Sequence, residues 1–160
     1  MNLLISGGAG YIGSHIVNLL IDRNHTVVII DNLSRGNINL IPKKSIFYKS
    51  DISNEKKISK IFKVHKINLI FHLAGFKDVS ESNKHPEKYI KNNLTKSKKF
   101  IETCIKNNCR KIIFSSSAAV YGNLNKNNLK EHSILKPSSI YGKTKLKLEK
   151  FLIKNEKKNY

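Results

Sequence analysis

At 160 residues, with a hydrophobic fraction of 39% and an aromatic fraction of 8%, the chain is long enough for one buried core and too apolar to remain disordered. Its 30 basic residues against 11 acidic ones give a formal charge of +19, yet only Arg23, Arg35 and Arg110 are arginines. Lysine, asparagine and isoleucine dominate, all three are encoded by AT-rich codons, and nucleic-acid surfaces lean on arginine for bidentate contacts, so no specific nucleic-acid partner is expected.

Residues 2–6 form an apolar run that enters Gly7, Gly8, Ala9 and Gly10 directly. No basic leader or cleavage site precedes the glycines, so the run reads as a strand and not a signal peptide. Residues 11–22 carry Ile12, Ile16, Leu19 and Leu20 at helical spacing. Residues 26–30 are β-branched and continuous, as suits a strand buried on both faces, and end at Asp31. A short strand is expected over 45–48 and a helix over 53–65, with Ile58, Ile61 and Phe62 on one face. A fourth strand over 68–73 ends at Ala74-Gly75. A long helix follows over 86–107, a fifth strand over 111–116, a polar loop over 123–136 and a last helix over 140–154. No apolar stretch nears the roughly 18 residues that cross a membrane, so a cytoplasmic location is the default expectation. Cys104 and Cys109 lack zinc-type companions and read as free structural thiols, and no metal site is expected.

Strands alternating with helices predict an α/β fold, a doubly wound parallel sheet of Rossmann type with helices on both faces. Ligands in such sheets sit at the carboxyl ends of the strands. Gly7, Asp31, Asp51, Gly75 and Ser117 all fall at or just after those ends.

The run 7–13 contains G-x-x-G-x-x-G between a strand and a helix. Gly7 permits the turn, Gly10 lets backbone approach a pyrophosphate, and Gly13 lets the helix pack on the sheet. Asp31 at the end of the second strand suits a carboxylate accepting ribose hydroxyls, which favours NAD, while nearby Arg35 leaves NADP open. Asp51 and Ile52 are candidates for an adenine contact, with a helix cap near Ser53 as the structural alternative. Ala74 and Gly75 would leave space for the middle of the cofactor, and Lys77 would reach a phosphate. His15 and His72 read as packed or hydrogen-bonded rather than catalytic.

Tyr141 and Lys145 are four residues apart, which on a helix places them on one face. A lysine cation there would favour the phenolate and equip the tyrosine as a base near neutral pH. Ser115, Ser116 and Ser117 end the fifth strand and offer a hydroxyl to the same reacting oxygen.

Together the segments at 7–15, 31–33, 72–75, 114–122 and 141–145 are colinear over essentially the whole chain. They resemble the N-terminal half of the UDP-glucose 4-epimerase family, within the extended short-chain dehydrogenases/reductases (NAD-dependent epimerase/dehydratase type). The resemblance implies backbone contacts from Tyr11 and Ile12 to the pyrophosphate. It implies that Asp31, Asn32, Leu33, Ser34, Arg35 and Gly36 surround the adenosine ribose, and that Asp51 and Ile52 meet the adenine. Leu73, Ala74, Gly75, Phe76, Lys77, Asn92, Ser117, Tyr141 and Lys145 would complete the NAD site. It further implies that Tyr141 takes the proton of the sugar 4-hydroxyl, Ser117 hydrogen-bonds that oxygen, and Lys145 holds the nicotinamide ribose and tunes the tyrosine. The substrate would be a UDP-sugar, UDP-galactose or UDP-glucose, with an N-acetylated sugar open.

Related 4,6-dehydratases and nucleotide-sugar decarboxylases carry carboxylates just after the position of Ser117. Ala118 and Ala119 stand here, which favours epimerisation. The family's members are about twice this length and are usually homodimers, so the resemblance implies a homodimer joined through the helices near 86–107 and 140–154. The expectation is thus an NAD-binding Rossmann domain over 1–160 that is incomplete, with the substrate lobe absent and activity impaired. A nucleotide-binding module without turnover is the other reading.

Overall fold

The computed structural model describes residues 1–123 and 129–157. Residues 124–128 of the expected polar loop therefore lie outside the described residues. The described chain divides into two compact units. The first contains residues 1–75 and 99–115, the second residues 76–98 and 116–160, of which 124–128 and 158–160 are not described.

The first unit is built on one parallel sheet. Its strands are β1 (Asn2–Ser6), β2 (Thr26–Asp31), β3 (Ile46–Lys49), β4 (Leu69–His72) and β5 (Ile112–Phe114), in the order β3-β2-β1-β4-β5. Register is fixed along the centre: Leu4 lies opposite Val28 on one side and Ile70 on the other. Each parallel step needs a crossover, supplied between β1 and β2 by α1 (Tyr11–Asp22) and between β3 and β4 by α2 (Glu55–His65). The first two strands read clearly because they are buried on both faces. Leu3, Ile5, Val27 and Ile29 point to one side and pack with Val17 of α1. Leu4, Val28, Ile30 and Ile70 point to the other and are fully buried. His72 joins that second face, with its ring 5.1 Å from Phe100. Asn54 caps α2 by accepting from the Lys57 amide at 3.1 Å, so the helix begins two residues later than the sequence suggests.

The expected helix over 86–107 is divided into α4 (Pro86–Tyr89), a π-helical stretch Ile90–Lys96 and α5 (Ser97–Lys106), and α3 (Val79–Lys84) precedes them. Pro86 opens α4 at a position that needs no amide donor. In the second unit α6 (Ile140–Lys157) packs with α3, α4 and the π-helical stretch. Among the described residues no helix is long and apolar enough to cross a membrane. Cys104 and Cys109 are buried free thiols, and burial pushes both upward from the ordinary thiol range.

Candidate dinucleotide and tyrosine–lysine sites

In the first unit the glycine turn is welded to two strand ends. Gly7 takes φ +79, and a β-carbon on it would come within 2.6 Å of the Ala74 amide nitrogen. Only glycine satisfies both the left-handed backbone and that approach. The Gly7 amide donates to the Ile30 carbonyl at 3.0 Å. Gly10 then stands at the cap position of α1 with no side chain to cap it. Amides in a first helical turn lack intrahelical acceptors, so an uncapped start presents donors and a positive dipole end to an anion. Tyr11 and Ile12 on that turn are 74% and 59% exposed.

Asp31 organises the loop after β2. One carboxylate oxygen accepts from the Ala9 amide at 3.1 Å and the other from the Leu33 amide at 2.8 Å. The second bond helps hold Leu33 at φ 58, a conformation that leucine adopts only under constraint. Gly36 closes against Ala9 and Asp31, and the Asn37 amide donates to the Ala9 carbonyl at 2.9 Å. The Ser34 amide donates to Asn32 Oδ1 at 3.0 Å. Arg35 is exposed on the same loop. The loop over 31–37 is therefore folded back on the glycine turn.

Asp51 bridges to that loop and to its own turn. Its Oδ2 accepts from Asn32 Nδ2 at 3.2 Å, and its Oδ1 accepts from the Ser53 amide and hydroxyl at 2.9 and 2.6 Å. The helix cap itself is Asn54, not Asp51 or Ser53. Ile52 is buried, and Leu73 packs against the core beside β1. His72 is fully buried and its Nδ1 lies 2.7 Å from Ser6 Oγ, while His15 meets the Tyr11 ring edge-on at 5.0 Å. Both histidines are thus engaged by neighbours.

In the second unit Tyr141 and Lys145 share one face of α6, with Lys145 Nζ 5.7 Å from the Tyr141 ring centroid. Lys145 is only 6% exposed, and burial pulls its ammonium down to about 8 against a partly opposing Glu149. Ser117 begins the one-turn 3-10 helix Ala118–Val120, where its hydroxyl accepts from the Ala119 amide at 3.2 Å. Gly142 of α6 rests on that turn: a β-carbon there would overlap the Ala119 carbonyl oxygen. The serine turn and the tyrosine helix are held together by a glycine whose spacing in the sequence carries no chemistry.

Phe76 and Lys77 also belong to this unit. Lys77 is exposed. Phe76 is gripped by a residue that the sequence reading passes over. Asn93, buried in the π-helical stretch, accepts from the Phe76 amide and donates to the Phe76 carbonyl, each at 2.8 Å. Its neighbour Asn92, the expected site residue, donates to Asn93 Oδ1 at 3.0 Å. Two asparagines inside a helix, where that residue is a poor helix former, are the local signal.

The sheet and the glycine turn define a dinucleotide-binding fold of Rossmann type. The chain belongs to the NAD dependent epimerase/dehydratase family, which it matches over residues 3–159. It is 40% identical to a UDP-glucose 4-epimerase of Dictyostelium discoideum over 157 residues, covering 94% of this chain and 46% of that relative. Among solved structures, a Thermotoga maritima UDP-glucose 4-epimerase with UDP-glucose is 37% identical with a TM-score of 0.90, covering 95% of this chain and 50% of that one. A Brucella ovis UDP-glucose 4-epimerase in complex with NAD is 32% identical with a TM-score of 0.92, covering 96% and 47%. The chain spans about half the length of the curated relatives it matches.

Proposed function

We propose that this chain supplies the NAD-binding and proton-transfer residues of a UDP-glucose 4-epimerase, interconverting UDP-galactose and UDP-glucose. The observation that carries the reading is the buried Lys145 ammonium one helical turn from Tyr141, on a helix seated against the Ser117 turn. The uncapped start of α1 at Gly10 fits a pyrophosphate, and Asp31 retains lone pairs for ribose hydroxyls beyond the two amide bonds it accepts.

Tyr11 and Ile12 would hold the pyrophosphate through their amides, Asp31 to Gly36 the adenosine ribose, and Asp51 and Ile52 the adenine. Leu73, Ala74, Gly75, Phe76, Lys77 and Asn92 would line the remainder. NAD, when bound, would supply a hydride acceptor and donor for carbon 4 of the sugar. Tyr141 accepts the 4-hydroxyl proton and later gives it back. Ser117 hydrogen-bonds that oxygen. Lys145 would hold the nicotinamide ribose, and its ammonium stands 5.7 Å from the Tyr141 ring centroid. Ala118 and Ala119 offer no carboxylate for dehydration or decarboxylation.

The family relationship supports a homodimer through the helices near 86–107 and 140–154. The exposed lysines 143, 147, 150 and 154 follow one stripe of α6 and oppose close self-association at low salt. We place the protein in the cytoplasm. Because the chain spans about half its relatives' length, we expect weak turnover from these 160 residues alone. NAD titration followed by a UDP-galactose to UDP-glucose assay, with Tyr141→Phe as the control, tests the reading. NAD binding with turnover that disappears in the control supports it. NAD binding without turnover, alone or with a completing polypeptide, leaves a nucleotide-binding module, and absence of NAD binding removes both.

A further inference from the structure

The first turn of α6 carries Tyr141, and its backbone donors are satisfied in an unusual way. A helix starts with amides that have no intrahelical acceptor. One of these, the Gly142 amide, donates to Ser139 Oγ at 3.0 Å, and the Lys143 amide donates to the Ser139 carbonyl at 3.0 Å. Ser139 is thus an ordinary cap. The two remaining amides are met by a different helix. The Ile140 amide donates to Asn83 Oδ1 at 3.1 Å and the Tyr141 amide donates to Ser82 Oγ at 3.1 Å, from residues 57 and 59 positions earlier in the chain.

Ser82 is fully buried, and its own hydroxyl proton goes to the Val79 carbonyl at 2.6 Å. That bond leaves its lone pairs for the Tyr141 amide. The segment that presents Ser82 is itself fixed. Asp78 caps α3 by accepting from the Glu81 amide at 2.7 Å, and Glu81 is tied to the buried Tyr89 hydroxyl at 2.8 Å and to Lys88 Nζ at 2.6 Å. A six-residue helix has too little propensity to stand alone, so α3 is held by these ties and passes their rigidity on.

We propose that Ser82, seconded by Asn83, is a positioning residue for the Tyr141–Lys145 pair: it clamps the second amide of α6 and so fixes the rotation and advance of the turn that aims the phenol. The inference rests on the reading of Tyr141 and Lys145 as the proton-transfer pair. An amide is rigidly linked to its own Cα, so a bond at the Tyr141 amide constrains the tyrosine side chain more directly than any bond farther along the helix. Without it the first turn frays and water reaches the second, where Lys145 is buried.

The test needs neither cofactor nor turnover. In the 160-residue chain, amide exchange at residues 140 and 141 and the NMR titration of the Lys145 ammonium are followed in wild type, Ser82→Ala, Ser82→Thr and Asn83→Ala. Ser82→Ala should speed exchange at Tyr141 by about tenfold, the usual worth of a lost cap. It should also raise the Lys145 midpoint from about 8 toward the ordinary 10.5. Ser82→Thr should restore both. Asn83 is exposed, so Asn83→Ala folds in any case and should give the same changes more weakly, centred on Ile140. Ser82→Ala that loses stability while the Lys145 midpoint stays in place makes Ser82 a plain cap and overturns the proposal. Should Ser82→Ala not fold, an unmoved midpoint in Asn83→Ala does the same. A parallel NAD titration separates the two readings, since failure to bind NAD would sink the dinucleotide reading while leaving the Ser82 result standing.

Discussion

Gly142 lies against the peptide of Ala119 so closely that a β-carbon on it would overlap the Ala119 carbonyl oxygen and sit 3.0 Å from the carbonyl carbon. The obstacle is backbone on one side and Pro137 on the other, so a flexible side chain cannot swing away to make room. Gly142→Ala gains up to about 1 kcal/mol of helix propensity. Overpacking against backbone costs about 1–3 kcal/mol, so the clash wins. Urea denaturation should show a net loss of about 1–2 kcal/mol, with reduced turnover because Tyr141 immediately precedes Gly142. A variant more stable than wild type would mean that α6 stands farther from the Ser117 turn.

The glycine turn, the first two strands and the Tyr141–Lys145 spacing were legible because each depends on local pattern: a continuous apolar run, a fixed glycine interval, one helical turn. The elements that hold the site in place were not legible. The segment Val79–Lys84 has no apolar period, and its helix is sustained by the Asp78 cap and by Glu81 reaching Tyr89 eight residues away. The π-helical stretch Ile90–Lys96 left no mark on the spacing of residues 86–107. Asn93 and Ser82 act through bonds to backbone distant in sequence, which no single-residue pattern encodes.

Asn93 gives a sharp test of that hidden layer. Its side-chain amide satisfies both the backbone N–H and the backbone carbonyl of Phe76, and it is 4% exposed. Asn93→Ala strands a donor and an acceptor, at about 1–3 kcal/mol each, so a loss of about 3 kcal/mol is expected in urea. Asn93→Asp keeps the acceptor for the Phe76 amide but sets a carboxylate against the Phe76 carbonyl, and should be no better than alanine at neutral pH. If Asn93→Ala costs under about 1 kcal/mol, water replaces the clamp and Phe76 is not fixed by it.

Asp31 is expected to matter twice. It accepts from the Ala9 and Leu33 amides, so Asp31→Ala leaves two partly buried donors unmet and should lose about 1–3 kcal/mol of stability. Under the proposed function it also loses the acceptor for the ribose, and NAD affinity by calorimetry should fall at least about tenfold. Unchanged NAD affinity in a folded Asp31→Ala chain would place the ribose elsewhere.

Lys145 makes a prediction about pH whose sign follows from its burial. Its ammonium titrates at about 8 in the folded chain against 10.5 ordinarily, with desolvation as the main cause. Below about pH 8 the lysine is charged in both folded and unfolded chains, and burying that charge opposes folding in full. Between about 8 and 10.5 the unfolded chain holds the proton and the folded chain has released it, so stability rises with pH. Above 10.5 both are neutral and the penalty is gone. The interval corresponds to about 3 kcal/mol at roughly 1.4 kcal/mol per pH unit. Lys145→Met keeps the length and removes the titration. Subtracting its stability from that of wild type at each pH cancels the other lysines and the tyrosines. The difference should climb in favour of wild type by about 3 kcal/mol from pH 8 to 10.5 and be flat below 8. A flat difference throughout would mean that water reaches the Lys145 ammonium, and the phenol of Tyr141 would then have no dry cation beside it.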